Sequence, residues 1–217
     1  MTPARAGRAA HPGDEMIIID DIEQYSVGWW AARAGIPTSS CFDMILTPKT
    51  MKPSSQQEKY LYTLAGERIT GTKAETYQSA AMERGLIMEA EARTLFEMVQ
   101  DVEVKQVAFI YSDDKRYGCS PDGLLDHAGL EIKCPNMSTH VGYLLDGGLP
   151  GVYVPQVQGS MLITGFSHWF FLSYYPGLPP LLLKISRDDK FCAALKVELD
   201  GFCGRLNEVE RKLRELA

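Results

Sequence analysis

The chain has 217 residues, of which 45% are hydrophobic, and this is enough apolar material for one substantial core. Its 22 basic and 28 acidic residues give a formal net charge of -6. This balance argues against a protein that coats nucleic acid without sequence preference, because such binding depends on an excess of Lys and Arg. The five cysteines form no CxxC pair and lack the spacing of zinc ligands, so reduced thiols in a cytoplasm are expected.

The first fifteen residues, "MTPARAGRAAHPGDE", contain no apolar run like the core of a signal peptide. We expect residues 1–15 to be a disordered tail and residues 16–217 to form a single domain. No later stretch approaches the length of a membrane span, so we expect no membrane association and a cytoplasmic location.

Hydrophobic periodicity predicts helices in the first half of the chain and strands near its middle. The predicted helices are 22–32, 39–46, 58–69 and 80–99. The predicted strands are 103–112, 117–126 and 130–135, and the last two would form a hairpin around "HAG".

The second half continues the alternation of helices and strands. Helices are predicted at 140–148 and 153–165, with Pro155 in a first turn or at a kink. Strands at 167–175 and 181–187 precede a closing helix, in which Gly201 and Gly204 are candidate positions for a bend. The expected fold is therefore an α/β or α+β domain with a mixed central sheet flanked by helices.

The stretch "GCSPDGLLDHAGLEIKCP" (118–135) places charged residues within a strand-forming segment. Side chains two apart on a strand face the same way, so Glu131 and Lys133 should share one side of the last strand. If the preceding strand pairs with it, Asp122 comes beside Glu131 and two carboxylates face a hard cation. The backbone carbonyl of Ile132 is a third candidate ligand.

A magnesium ion held in this way could polarise a phosphodiester and activate water, while Lys133 orients the nucleophile or stabilises the transition state. An acid and a lysine two apart are more often a solvated face or a surface ion pair. The combination here is more specific, because Pro121-Asp122 is followed, nine residues after the Asp, by Glu131-x-Lys133.

This combination is the pattern of the PD-(D/E)xK nucleases, the restriction-endonuclease-like superfamily. The longer form "CSPDGLL...GLEIKCP" resembles the phage lambda exonuclease family of viral recombination and alkaline exonucleases. Three further segments occur in that family's order, namely "WWAARAGIPTSS" (29–40), "RGLIMEAEARTLFE" (84–97) and "YVPQVQGSM" (153–161). The resemblance spans roughly residues 25–195 and implies a restriction-endonuclease-like core.

The resemblance implies roles for particular residues. It makes Asp122, Glu131 and the Ile132 carbonyl the metal ligands, Lys133 the catalytic lysine, Glu89 a helical active-site acid, and Gln156 an active-site glutamine accompanied by Tyr153 and Gln158. From the residues alone, Glu89 could instead pair with Arg93 one helical turn later, and Gln156 could be an exposed filler.

For Arg33, Ser40 and Ser120 the resemblance implies a pocket that binds the terminal 5′-phosphate of DNA, for which the planar fork of arginine is suited. Arg33 could equally cap the end of a helix. This chain departs from the family's pattern at Thr139 and His140, where members of the family often have a basic residue near the DNA. A loop at 47–57 could insert Met51 between base pairs as a wedge.

The implied activity is a Mg²⁺-dependent 5′ to 3′ exonuclease, with Mn²⁺ as a possible substitute, which degrades one strand of double-stranded DNA. It would leave a 3′ single strand for a single-strand annealing protein and would form a ring-shaped homotrimer, as a phage protein in the cytoplasm of a bacterial host. The alternatives are a restriction-like or junction endonuclease of the same superfamily and a catalytically inactive DNA-binding subunit.

Overall fold

The computed structural model of the protein describes residues 16–72 and 80–216, so the predicted tail at 1–15 lies outside the described residues. Within these ranges the helices are α1 (Val27–Arg33), α2 (Gln57–Thr70), α3 (Ala80–Gln100), α4 (Met137–Asp146), α5 (Val154–Thr164) and α6 (Asp189–Glu215). The strands are β1 (Ile17–Ile19), β2 (Phe109–Tyr111), β3 (Gly118–Cys119), β4 (Gly123–Leu124), β5 (Gly129–Lys133), β6 (His168–Ser173) and β7 (Leu181–Ser186). Short 3-10 segments occupy Ser39–Met44 and Gly151–Tyr153.

The strands form two sheets. The first is antiparallel with the order β1-β2-β3. The second has the order β4-β5-β6-β7, in which β5 and β6 are parallel and the outer pairs are antiparallel. The parallel pair needs a crossover connection, which α4 and α5 supply. The predicted fold class, a mixed sheet flanked by helices, is confirmed.

Two hydrophobic cores lie on opposite faces of the second sheet. Alternation along β5 sends Leu130 and Ile132 to the face covered by α3, where they pack with Phe96. The neighbouring strand β6 directs Trp169 and Phe171 to the main core, which also contains buried residues of α5 and α6. The predicted split of β5 into an apolar face and a charged face is therefore found.

Two glycines permit close contacts that shape the region around β5. A Cβ on Gly129 would overlap the ring of Trp169, and a Cβ on Gly159 of α5 would overlap Phe42. The second contact holds the 3-10 segment Ser39–Met44 against α5. These approaches fix the distance between elements that carry predicted site residues.

The helix ends follow local capping rules. Ser26 caps α1 by accepting a hydrogen bond from the backbone nitrogen of Trp29, and Asp188 caps α6 by accepting one from Phe191. Pro155 lies in the first turn of α5, one of its two predicted positions. Helix α6 continues through the two glycines at 201 and 204 as one element.

Several predicted boundaries were wrong. The strand predicted at 103–112 is confined to β2, preceded by a single bridge between Lys105 and Leu124. The strand predicted at 117–126 is divided between the two sheets, because Pro121 has no N–H for a ladder and separates β3 from β4. The predicted helix at 22–32 begins only at Val27, and the predicted helix at 39–46 is a 3-10 segment. Among the described residues, every helix is too short or too polar to cross a bilayer.

Candidate active site

Asp122 and Glu131 stand opposite each other on neighbouring strands. Gly123 at the start of β4 pairs with Leu130 of β5 in an antiparallel register. Asp122, the residue before Gly123, therefore lies opposite Glu131, the residue after Leu130. The backbone nitrogen of Asp122 donates to the Leu130 carbonyl at 3.0 Å, and the Ile132 nitrogen donates to Asp122 Oδ2 at 2.6 Å. The predicted hairpin therefore brings the two acidic residues together.

The Ile132 carbonyl faces the same edge of β5 as the Asp122 carboxylate. The N–H and C=O of one residue in a strand point to the same edge, and the Ile132 N–H is bonded to Asp122. The next residue, Lys133, faces the opposite edge, where its carbonyl accepts a hydrogen bond from Tyr174. The carbonyl predicted as a third ligand thus lies beside the carboxylate predicted as the first.

Glu131 is almost fully buried, with 2% of its surface exposed. Its Oε1 forms an ion pair with Lys133 Nζ at 2.5 Å and accepts a hydrogen bond from Gln156 Nε2 at 2.6 Å. Lys133 Nζ also lies 5.1 Å from the ring centroid of Tyr153. Gln156 is consequently a direct partner of Glu131, and the interpretation of it as an exposed filler is wrong.

Glu89 joins this site from α3 and is also paired with Arg93. Arg93 Nη2 lies 2.5 Å from Glu89 Oε1, and Arg93 Nε donates to the Asp122 carbonyl at 3.0 Å. The predicted ion pair between Glu89 and Arg93 is therefore present, and through Arg93 it ties Glu89 to Asp122 at the start of β4. We call Glu89, Asp122 and Glu131 the acidic cluster.

Burial and mutual repulsion raise the carboxyl pKa values in the acidic cluster. Burial, with a further contribution from Asp122, raises the pKa of Glu131 to about 7 and that of Glu89 to about 7. Burial also raises the pKa of Asp122, although Lys133 opposes this shift. Burial lowers the pKa of Lys133, but attraction to Glu131 and Asp122 outweighs it and the net shift is upward. The cluster therefore favours an additional positive charge.

The donor atoms of the acidic cluster and of the adjacent Ile132 carbonyl suit magnesium. They are carboxylate oxygens and a backbone carbonyl oxygen, the ligands that a hard cation prefers. Within residues 16–72 and 80–216, no three His, Cys, Asp or Glu side chains converge closely enough to enclose a metal by themselves. Magnesium does not need such an enclosure, because it usually keeps several waters and uses only one or two carboxylates.

A second polar site surrounds the guanidinium of Arg33. Its Nη1 donates to Ser120 Oγ at 2.6 Å, and its Nη2 lies 3.5 Å from the hydroxyl oxygens of both Thr38 and Ser40. In the part of the chain that the structure describes, these bonds go to hydroxyl groups and not to a carboxylate. We call Arg33, Thr38, Ser40 and Ser120 the Arg33 pocket.

Arg33 lies in the last turn of α1, yet its side chain contacts Ser120, which lies in the segment between β3 and β4. The guanidinium carbon lies 4.2 Å from the ring centroid of Trp29, and burial lowers the pKa of the guanidinium. Trp29 Nε1 in turn donates to the Ala108 carbonyl at 2.8 Å and so anchors α1 beside β2. Arg33 is thus held in place by stacking and hydroxyl contacts, and the helix-cap interpretation does not account for its contacts.

Sequence reasoning missed residues that complete both sites. Thr38 belongs to the Arg33 pocket, Trp29 contacts both Arg33 and Ser120, and Arg93 links Glu89 to Asp122. Tyr25 borders a cavity of about 530 Å³ that is also lined by Glu89, Arg93 and Asp122. The quoted motif "WWAARAGIPTSS" contains Trp29 and Thr38, but nothing in the sequence places Tyr25 or Arg93 beside residues that lie far away in the chain.

Other residues singled out in the sequence lie outside both sites. Gln158 bonds to the Ser186 carbonyl and the Asp188 nitrogen, which joins α5 to the start of α6. His140 is fully buried between Ser173 and the Pro179 carbonyl. Met51 is half-buried and packs against the main core, so it does not project as a wedge.

Solved structures resemble the whole fold. The chain is 33% identical to an alkaline exonuclease, LHK-Exo, from Laribacter hongkongensis, with 88% of this chain and 100% of that chain covered and a TM-score of 0.78. For LHK-Exo in complex with dAMP the identity is 34% and the TM-score 0.79 at the same coverage. A phage related exonuclease from Haemophilus somnus 129PT is 14% identical, with 84% and 96% covered and a TM-score of 0.65, and supports the fold alone. None of the curated proteins matches the chain.

Fold and site together define a DNA nuclease with a restriction-endonuclease-like core. Residues 28–167 match the family of YqaJ-like viral recombinase domains. The chain belongs to this family, and the predicted resemblance to the phage lambda exonuclease family is confirmed.

Proposed function

We propose that the protein is a Mg²⁺-dependent 5′ to 3′ exonuclease that degrades one strand of linear double-stranded DNA from a 5′-phosphate end. The observation that carries this proposal is the short link between the two sites. Ser120 accepts a hydrogen bond from Arg33 at 2.6 Å, and Asp122 follows two residues later. A terminal phosphate bound in the Arg33 pocket would place the first phosphodiester bond of its strand beside the acidic cluster.

The residues of the Arg33 pocket suit a phosphate ligand. The guanidinium supplies several donors in a planar fork, and the hydroxyl groups of Thr38 and Ser40 can add donors to phosphate oxygens, whereas the Ser120 hydroxyl already donates to the Ala108 carbonyl. Partial burial strengthens the contact between Arg33 and Ser120, because water competes less for the donors. A 5′-hydroxyl end offers no charge to Arg33, so the pocket would favour phosphorylated ends.

The acidic cluster would carry the chemistry. Asp122, Glu131 and the Ile132 carbonyl would hold magnesium, which supplies Lewis acidity and a more acidic bound water when it is present. Lys133 is positioned by its ion pair with Glu131 to orient the attacking water or to stabilise charge on the phosphate. Gln156 fixes the Glu131 carboxylate by a hydrogen bond of 2.6 Å. Manganese, which also takes carboxylate and carbonyl oxygens, could replace magnesium.

The product of this reaction would be a duplex with a 3′ single-stranded end. We propose that a single-strand annealing protein takes up this strand, and that three copies of the chain form a ring around the DNA, in a phage context within the bacterial cytoplasm. The membership in a viral recombinase family supports a role in recombination.

Digestion of end-labelled duplexes tests the activity and its polarity. A linear duplex with a 5′-phosphate should lose labelled mononucleotides from its 5′ end in Mg²⁺ and remain intact in EDTA. A relaxed circle of the same sequence should resist. Nicking of the circle would favour the restriction-like or junction endonuclease, and release of label from the 3′ end first would refute the polarity.

The same assay addresses the inactive-subunit alternative. A protein that binds duplex ends but leaves them intact at all concentrations of Mg²⁺ and Mn²⁺ would be a DNA-binding subunit. The complete set of Asp122, Glu131 and Lys133, already paired in space, favours the catalytic interpretation.

A further inference from the structure

Tyr25 has an unusual backbone conformation for an aromatic residue. Its φ angle is +67°, in the left-handed region where bulky side chains are rarely found. Its side chain is also 44% exposed, so burial alone does not explain why the position carries a large aromatic ring. A strained residue of this kind persists when its surroundings hold it, and such residues concentrate at functional sites.

The Tyr25 ring is held by the tryptophans of α1. Its centroid lies 4.9 Å from that of Trp29 in a tilted arrangement and 6.5 Å from that of Trp30 in an edge arrangement. The backbone nitrogen of Trp29 is bound by the capping residue Ser26, which follows Tyr25 directly. The ring therefore has a defined position although much of it is accessible.

That position lies between the Arg33 pocket and the acidic cluster. On one side, Trp29 contacts both Tyr25 and the Arg33 guanidinium and donates a hydrogen bond to Ser120 at 3.0 Å. On the other side, Tyr25 borders the cavity that Glu89 and Asp122 also line. Burial raises the pKa of the Tyr25 hydroxyl, and the neighbouring carboxylates of Glu89 and Asp122 add to this shift.

We propose that the Tyr25 ring is a stacking platform for the base of the 5′-terminal nucleotide. This inference rests on the proposed function. The terminal phosphate and the bond to be cut belong to the same nucleotide, so its sugar and base must lie between the Arg33 pocket and the acidic cluster. Aromatic rings bind bases of any sequence by stacking, because every base has a π-face. Tyr25 is thus a positioning residue, which acts on the alignment of the substrate and not on the reacting atoms.

The experiment measures release of the first nucleotide in a single turnover. The two substrates are 5′-phosphorylated duplexes that end in deoxyadenosine or in a tetrahydrofuran abasic analogue. The wild-type protein should release the abasic nucleotide about tenfold more slowly, since base-aromatic stacking contributes roughly that factor or more. Tyr25→Leu should release the terminal deoxyadenosine nucleotide about tenfold more slowly than the wild-type protein does. On the abasic end, the variant and the wild-type protein should have the same release rate.

Two variants control for the hydroxyl group and for loss of a tyrosine. Tyr25→Phe keeps the ring and should retain the preference for a terminal base. Tyr62→Leu removes a tyrosine on α2 that is 56% exposed and bonds only to Glu58 among the described residues, so it should behave as wild type. If Tyr25→Leu reduced the release rate equally on both substrates, the stacking role of Tyr25 would be wrong. It would also be wrong if Tyr25→Phe released the deoxyadenosine nucleotide as slowly as Tyr25→Leu.

A glycine variant separates stacking from folding. Glycine adopts positive φ without strain, so Tyr25→Gly should unfold at a temperature no lower than Tyr25→Leu while it shows the same loss of base dependence. If Tyr25→Gly recovered the wild-type base preference, the inference would be wrong. Failure of the proposed function is visible separately, because the wild-type protein would then release no nucleotide from either 5′ end.

Discussion

Arg33 Nη1 and Ser120 Oγ are 2.6 Å apart, and Ser120 is separated from Asp122 only by Pro121. Ser120 also donates to the Ala108 carbonyl at 2.8 Å and accepts from Trp29 Nε1 at 3.0 Å, so its hydroxyl is fixed by three partners. The proline restricts the backbone between the two sites. The Arg33 pocket and the acidic cluster are consequently held at a constant separation, which the proposed removal of single nucleotides from an end would require.

Arg33→Ala should selectively reduce the preference for 5′-phosphorylated ends over 5′-hydroxyl ends. A hydrogen bond to a charged group contributes about 1.5–3 kcal/mol, so the ratio of the two initial rates should fall by about 10- to 100-fold. The matched control is Arg211→Ala near the end of α6, whose guanidinium is exposed and pairs with Glu215 one helical turn later. An unchanged ratio in the Arg33 variant would remove Arg33 from recognition of the end.

Asp122→Asn should abolish cleavage and preserve DNA binding. Magnesium contributes several kcal/mol of transition-state stabilisation, so weakening one ligand should lower the rate at least about a thousandfold. The amide oxygen can still accept the hydrogen bond from Ile132, so the hairpin should remain intact. Because burial disfavours the Asp122 charge, the metal-free variant should be at least as stable as the wild type in urea. Normal cleavage by this variant would exclude Asp122 from the mechanism.

The sequence was sufficient to predict the pairing of Asp122 with Glu131, because side-chain alternation and a hairpin turn are local rules. It also predicted that Arg33, Ser40 and Ser120 meet, through a resemblance and not through local rules. It could not predict that the chain changes sheets at Pro121, since strand partners are chosen by contacts distant in sequence. The contact between Arg93 and Asp122 was missed for the same reason, as 29 residues separate them.

Magnesium should stabilise the protein more strongly at pH 8 than at pH 5.5. Burial raises the pKa of Glu131 and Glu89 to about 7, well above the value near 4.3 expected in the unfolded chain. The folded, metal-free protein therefore binds more protons than the unfolded chain between about pH 4.3 and pH 7. Its free energy of unfolding should fall as the pH rises through this window and level off above it.

Magnesium must displace these protons, so its binding should strengthen over the same pH range. Unfolding temperatures measured in Mg²⁺ and in EDTA from pH 5 to pH 8 give the difference that isolates this effect from other titrating groups. Glu131→Gln removes one of the carboxyl groups with a raised pKa and should flatten the dependence, whereas Glu215→Gln at the exposed end of α6 should not. A stabilisation by Mg²⁺ that is the same at every pH would contradict the role of these acids.

Arg93 should control how well the acidic cluster binds metal. Its Nη2 holds Glu89 at 2.5 Å and its Nε holds the Asp122 carbonyl at 3.0 Å, so one side chain ties α3 to the start of β4. Lysine keeps the charge but cannot make both bonds with a planar fork. Arg93→Lys should therefore weaken Mg²⁺ binding by about 10- to 100-fold, the range typical of groups that orient metal ligands.

The decisive measurement is the Mg²⁺ concentration that gives half-maximal cleavage by the Arg93 variant. If Arg93 only orients the cluster, saturating Mg²⁺ should restore most of the rate, and the preference for 5′-phosphorylated ends should stay at the wild-type value. Lys212→Ala on α6 is a suitable control, since its ion pair with Glu208 is exposed. A variant that keeps the wild-type Mg²⁺ requirement but loses the preference for phosphorylated ends would place Arg93 in end recognition instead.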